Sequence, residues 1–182
     1  MSGGLSSATT DSRTQILPAE TASRAFDWLR PGPAPATWPL ARIATGAAMA
    51  YPPGWHTVTG DAGTATVGLQ DADDDFLGYL NLTPRQGDET LGGWASFRVE
   101  HNRGEGDRDV RTLAAAGGLR FRTGRGTCIR DAYVTATGGR FIEVACLVAG
   151  PNATSVIVGA APPREWARMS PVIERAISAV TT

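Results

Sequence analysis

The chain has 182 residues, 42% of them hydrophobic, which is enough for one domain with a sizeable core and too few for two, so one domain plus a tail is expected. Its 17 basic residues, all arginine, nearly cancel 18 acidic ones and leave a net charge of -1, which argues against nucleic acid as a partner. No apolar run approaches the ~20 residues that a membrane-spanning helix needs, and the opening MSGGLSSATTDSRT lacks the charged and apolar regions of a signal peptide.

Residues 1–18 are rich in Ser, Gly and Thr, cannot offset their ordering entropy by burial, and read as a flexible tether. Residues 19–40 follow as a short helix and a Pro-rich connector. ETASRAFDWL places Ala22, Ala25, Phe26 and Leu29 near helical spacing, and RPGPAPATWP stops it because proline lacks the N–H that continuation requires. The domain proper is expected over 41–182, where the pattern changes to period two. RIATGAAMAY reads as two short strands around Thr45-Gly46. TATVGLQ puts Ala65, Val67 and Leu69 on one face, FLGYLNL does the same for Phe76, Gly78, Leu80 and Leu82, and DADDD between them makes a hairpin with an acidic tip. DETLGGWASFRVEHNR predicts a helix over about 88–103. Asp88 is its N-cap, Leu91, Trp94, Phe97 and His101 form one stripe, and Gly92 and Gly93 weaken the first turn.

Strands are then expected at 109–116, 119–123, 127–135, 140–149 and 154–160. VACLV and SVIVGA are apolar at successive positions, so both faces of these strands should be buried, which requires cover on both sides of the sheet. PREWARMSPVIERAISAV is the final helix. Met169, Val172, Ile173, Ala176, Ile177 and Val180 form its apolar stripe, and Pro171 either starts a new helix or kinks this one.

The two cysteines stand at the ends of CIRDAYVTATGGRFIEVAC. If 128–135 pairs with 140–149 around Thr137-Gly138, Cys128 faces Cys146 directly, with Cα atoms about 4.5 to 5.5 Å apart, inside the range a disulfide tolerates. A metal site is disfavoured because neither histidine, His56 or His101, sits at ligand spacing from a cysteine, and a redox pair would read C-x-x-C. The alternative is two buried free thiols in a reducing cytosol. A disulfide favours an extracytoplasmic protein, secreted or anchored through a membrane tether upstream of the chain, with 1–18 as the spacer.

AYPPGW at 50–55, a strand ending in an aromatic residue followed by prolines, glycine and tryptophan, resembles the PsbP-like group, which includes Mog-type Ran-binding proteins and many bacterial lipoproteins of unknown role. The resemblance covers about residues 40–182. It implies an α+β fold, an antiparallel sheet with helices packed on both faces, that is, a PsbP-like α/β/α sandwich with Trp55 plugging the core after a proline-fixed turn. It implies binding more than chemistry. No residues match the contact motifs of PsbP proteins or of the Mog-type proteins.

Chemical candidates are few. Asp71, Asp73 and Asp75 alternate like the start of a calcium loop, but Phe76 stands where glycine is needed and Leu82 where glutamate is needed, so a solvated acidic tip is expected. His101 with Glu100 and Arg98 suggests acid-base work, yet adjacent helical residues face different directions and a histidine ending an apolar stripe reads as packed or capping. LRFRTGRGTCIR gathers Arg120, Arg122, Arg125 and Arg130, the best candidate for an anionic partner, against the plainer reading of a charged face guarding a sheet edge. G-x-S-x-G, the P-loop and H-E-x-x-H are absent, and GRG alone is too weak for phosphate binding. NLT at Asn81 and NAT at Asn152 match the glycosylation pattern, which matters only in a eukaryotic secretory pathway.

These readings combine into an extracytoplasmic, non-enzymatic binding or accessory domain with no catalytic residue, metal or cofactor assigned. Its partner is an unknown protein or a small anionic ligand, met through the sheet edge and its loops. The alternatives are a cell-envelope hydrolase whose site assembles only in three dimensions, and a cytosolic partner-binding domain.

Overall fold

A computed structural model describes residues 24–182, so the expected tether over 1–18 and the first part of the helix over 19–40 lie outside the described residues. Two strands, β1 (Leu40–Arg42) and β2 (Ala48–Ala50), pair antiparallel around the Thr45-Gly46 turn. The main sheet has seven antiparallel strands: β3 (His56–Val58), β4 (Ala65–Gln70), β5 (Phe76–Pro84), β6 (Arg108–Arg120), β7 (Arg125–Val134), β8 (Arg140–Ala149) and β9 (Thr154–Ala161), in the order β3-β4-β5-β9-β8-β7-β6. Helix α1 (Trp94–Gly104) links β5 to β6, and α2 (Pro163–Ala179) follows β9. Neither helix is long and apolar enough to cross a membrane.

Alternation along the central strands sorts their side chains into two cores. Val144, Cys146 and Val148 of β8 and Ile157 of β9 join Met169, Ile173 and Ile177 of α2 in the larger one. Ala145 and Leu147, with Val156 and Val158, join Trp94 of α1 in the smaller. That is why VACLV and SVIVGA have no polar alternation. Helix α2 lies close on β9: a Cβ at Gly159 would overlap Ile173, and one at Gly78 would crowd Met169 and Trp55. Trp55 is buried in this larger core, and Pro171 sits inside one continuous helix.

The 24–40 segment, read from the sequence as the end of a helix and a connector, is packed against the domain. Phe26 and Leu29 are buried in the larger core, the Arg30 N–H donates to Ser178 Oγ at 3.2 Å, and Arg175 donates to the Pro33 carbonyl at 2.9 Å. Residues 109–116 and 119–123 were expected as two strands. The structure makes 108–120 one strand, because Gly117 and Gly118, the latter at φ 68, form a bulge that keeps the pairing with β7 and does not turn the chain. The three-residue β3 was too short for any alternation to reveal it.

Candidate functional site

Helix α1 begins at Trp94, not near Asp88, because Gly92-Gly93 favours a turn; there the Gly93 N–H donates to Thr90 Oγ1 at 3.1 Å. Its inward face keeps only part of the expected stripe: Leu91 and Trp94 pack on the smaller core. Phe97 is 37% exposed and His101 is exposed, while Ala95 and Val99 pack on the smaller core and Trp94, Arg98 and Asn102 touch down on the sheet through polar groups, one per turn. Each makes a polar anchor to β7 or β8. The Trp94 indole N–H donates to the Ala145 carbonyl at 2.9 Å, the Arg98 guanidinium pairs with the Glu143 carboxylate, and Asn102 Nδ2 donates to Asp131 Oδ2 at 3.4 Å.

The anchors end in a largely buried polar cluster. Asp131 is opposite Glu143 in the β7–β8 ladder, and the two are 0% and 1% exposed. Tyr133 donates its hydroxyl to Glu143 Oε2 at 3.1 Å, and the Tyr79 hydroxyl is 3.4 Å from that of Tyr133. Burial, with the Glu143 charge added and Arg98 opposing, pushes Asp131 up to about 8, so at pH 7 it is a neutral acid. Burial and Glu143 also raise both tyrosines, which stay protonated. Burial alone would lower Arg98, but the Glu143 carboxylate outweighs it and holds the guanidinium charged. One cation therefore meets one carboxylate. Asp131 and Glu143 are buried, while Arg98 borders the groove beside α1 and Tyr133 a hollow toward β6; the cluster fastens α1 to the sheet.

Beside α1 a groove of about 690 Å³ runs over strands β4, β5 and β9. One wall is a stack of rings, with Trp94 to Phe97 at 5.6 Å and Phe97 to His101 at 5.8 Å, nearly parallel. Thr66 and Asn81, joined by a 2.7 Å hydrogen bond, lie along the strands, and Asp61, Glu89 and Glu105 line it as well. Glu89 is 8% exposed and engages one oxygen with the Gly87 N–H at 2.8 Å, which leaves acceptor capacity on the carboxylate. His101 makes no hydrogen bond to a carboxylate among the described residues, and it lines the groove together with Asp61, Glu89 and Glu105.

The four arginines separate. Arg120 and Arg125 are cross-strand neighbours at the β6–β7 end, and Arg122 lies in the turn between them; all three are exposed. Arg130 is on the α2 side, paired to Glu174 at 3.0 Å and lying over the Trp166 ring at 5.6 Å. Cys128 and Cys146 are direct partners in the ladder, both buried, and joined by a disulfide with Cα atoms 4.1 Å apart. At the acidic tip, Asp71 Oδ1 accepts the N–H groups of Asp73 and Asp75 at 3.0 and 3.1 Å, so this aspartate serves its own turn. No cluster of three or more His, Cys, Asp or Glu able to hold a metal occurs among the described residues.

Sequence reasoning missed Asn102, Asp131 and Glu143 and assigned Arg98 no partner. The available signal was a lone acid in each of two strands otherwise apolar on the same face, since a buried carboxylate requires a partner.

In fold, the chain is similar to the solution structure of the cyanobacterial PsbP protein CyanoP from Synechocystis sp. PCC 6803, at 12% identity and a TM-score of 0.57, over 84% of this chain and 96% of that one. A weaker similarity, at 8% identity and a TM-score of 0.47 over 80% of this chain and 96% of that one, is to PA94, a protein of unknown function from Pseudomonas aeruginosa. No protein-family model and no curated protein matches the sequence. The likeness to CyanoP shows a PsbP-like fold and, at this identity, the fold alone.

Proposed function

We propose that this chain is an extracytoplasmic, non-enzymatic binding or accessory domain, a PsbP-like α/β/α sandwich whose groove beside α1 receives a ligand or partner. The observation that carries the reading is the groove itself. An exposed phenylalanine edge and histidine, together with polar groups that have hydrogen-bonding capacity left, surround a cleft whose helix is already fastened by its own anchors. The buried disulfide supports an oxidising compartment, with residues 1–18 as the tether. Exposed Arg120, Arg122 and Arg125 are a separate, anion-facing surface in this reading.

A photo-crosslinking residue placed at Phe97 tests this against the same residue at Leu113, which is also 37% exposed but lies on edge strand β6. Crosslinked product from position 97 and not from 113, in the extracytoplasmic fraction, is the expected result. Product from 113 alone would move the binding surface to the edge. The hydrolase alternative has one observation in its favour, His101 and three carboxylates lining one groove. Release of envelope fragments by the native protein and not by His101→Ala would establish it.

A further inference from the structure

At one end of the sheet, the β4–β5 tip, the β7–β8 turn and the junction of β9 with α2 enclose a hollow of about 630 Å³, separate from the groove beside α1. Phe76, Phe141, Pro162 and Pro163 give it an apolar lining. Its charges are segregated. Asp74 and Asp75 stand on the β4–β5 side, Arg140 on the β7–β8 side and Arg164 at the start of α2, all four exposed. The strand order β5-β9-β8 puts two strand spacings, about 10 Å, between these poles. Among the described residues no ion pair within 4 Å engages Asp74, Asp75 or Arg140, while Arg164 lies 4.0 Å from Glu165.

We infer that this hollow binds a short peptide of two or three residues with free termini and an apolar side chain, its ammonium toward Asp74 and Asp75 and its carboxylate toward Arg140. A single amino acid carries both charges on one Cα and cannot reach both poles, whereas two or three extended residues span about 7 to 10 Å. The apolar lining takes the side chain, in the usual manner of small-ligand sites that surround an apolar body with a few polar contacts. There is room for it toward β6. A second hollow of about 440 Å³ shares Arg140, Phe141 and Pro163 with the first. There β6 bulges between Arg108 and Arg111, with Asp109 at φ 54, and bulges of this kind re-aim the edge of a sheet beside a site.

The test uses the full, oxidised chain and the tripeptide Ala-Leu-Phe, with free termini and with both termini capped. The free tripeptide should move the backbone amide signals of Phe76 and Phe141. Capping, Arg140→Gln combined with Arg164→Gln, and the double substitution Asp74→Asn with Asp75→Asn should each weaken binding by about ten-fold, which is roughly 1.4 kcal/mol. The substituted side chains are exposed and the capped groups are on the ligand, so unfolding does not confuse the result. Equal binding of the capped peptide, undiminished binding by Arg140→Gln combined with Arg164→Gln, or no movement of these signals at millimolar peptide would overturn the inference.

Discussion

Asp131 and Glu143 face each other across the β7–β8 ladder, buried beneath α1; the Arg98 guanidinium pairs with Glu143, and Asp131 accepts from Asn102. Like charges directly opposite in a sheet repel, so the pair is tolerated because Asp131 holds its proton. The folded chain then binds a proton at Asp131 that the unfolded chain releases above about pH 4. Stability from this group is complete below pH 4 and is lost as pH rises toward about 8. Across that window the native protein should lose up to about 1.4 kcal/mol per pH unit relative to Asp131→Asn, which has no proton to lose. Denaturant titrations of both proteins at pH 5 and pH 8 read the difference, and parallel behaviour of the two would refute a neutral Asp131.

Arg98→Met tests the anchor from the other side. It leaves Glu143 buried without its cation and should cost about 3 to 5 kcal/mol at neutral pH. Arg98→Met combined with Glu143→Gln should recover much of that loss, because the unpaired charge disappears with its partner. A double variant as unstable as the single one would mean that packing of the arginine stem, not charge, holds the helix.

Reduction of the Cys128–Cys146 disulfide should lower stability by about 2 to 4 kcal/mol, since the crosslink restricts the unfolded chain and performs no chemistry. Ligand binding at the groove should survive reduction under conditions where the protein remains folded. Thiol titration of natively exported protein checks the compartment: two reactive thiols after denaturation would remove the support for an oxidising location.

Gly159→Ala probes the contact between α2 and the sheet. A methyl group there meets Ile173 and Leu80, so the helix must shift, and a loss of about 1 to 3 kcal/mol is expected in thermal or denaturant unfolding.

The hairpin from Cys128 to Cys146 was legible because two strand-like segments flank a short glycine turn, and the turn fixes the register. The doubly buried β8 and β9 announced themselves through unbroken apolar runs. The facing of α1 was not legible, because its rings at 97 and 101 follow the helical period while the sheet end beneath it offers Asp131 and Glu143, which select arginine and asparagine. Three-dimensional pairing, not periodicity, decided that face. The arginine cluster divides for a related reason: Arg130 lies on the α2 side, where Glu174 meets it, and neighbours in sequence separate in space.

The central claim is that the groove beside α1 is the binding surface, and amide chemical-shift mapping of the full chain with its photo-crosslinked partner, or with hits from a library of small polar ligands, tests it most directly. The account predicts that the largest shifts fall on Thr66, Asn81, Phe97 and His101, and that Phe97→Ala abolishes them without changing the unfolding midpoint by more than about 4 °C. Shifts confined to the edge around Arg120, Arg122 and Arg125, with the groove unmoved, would contradict it.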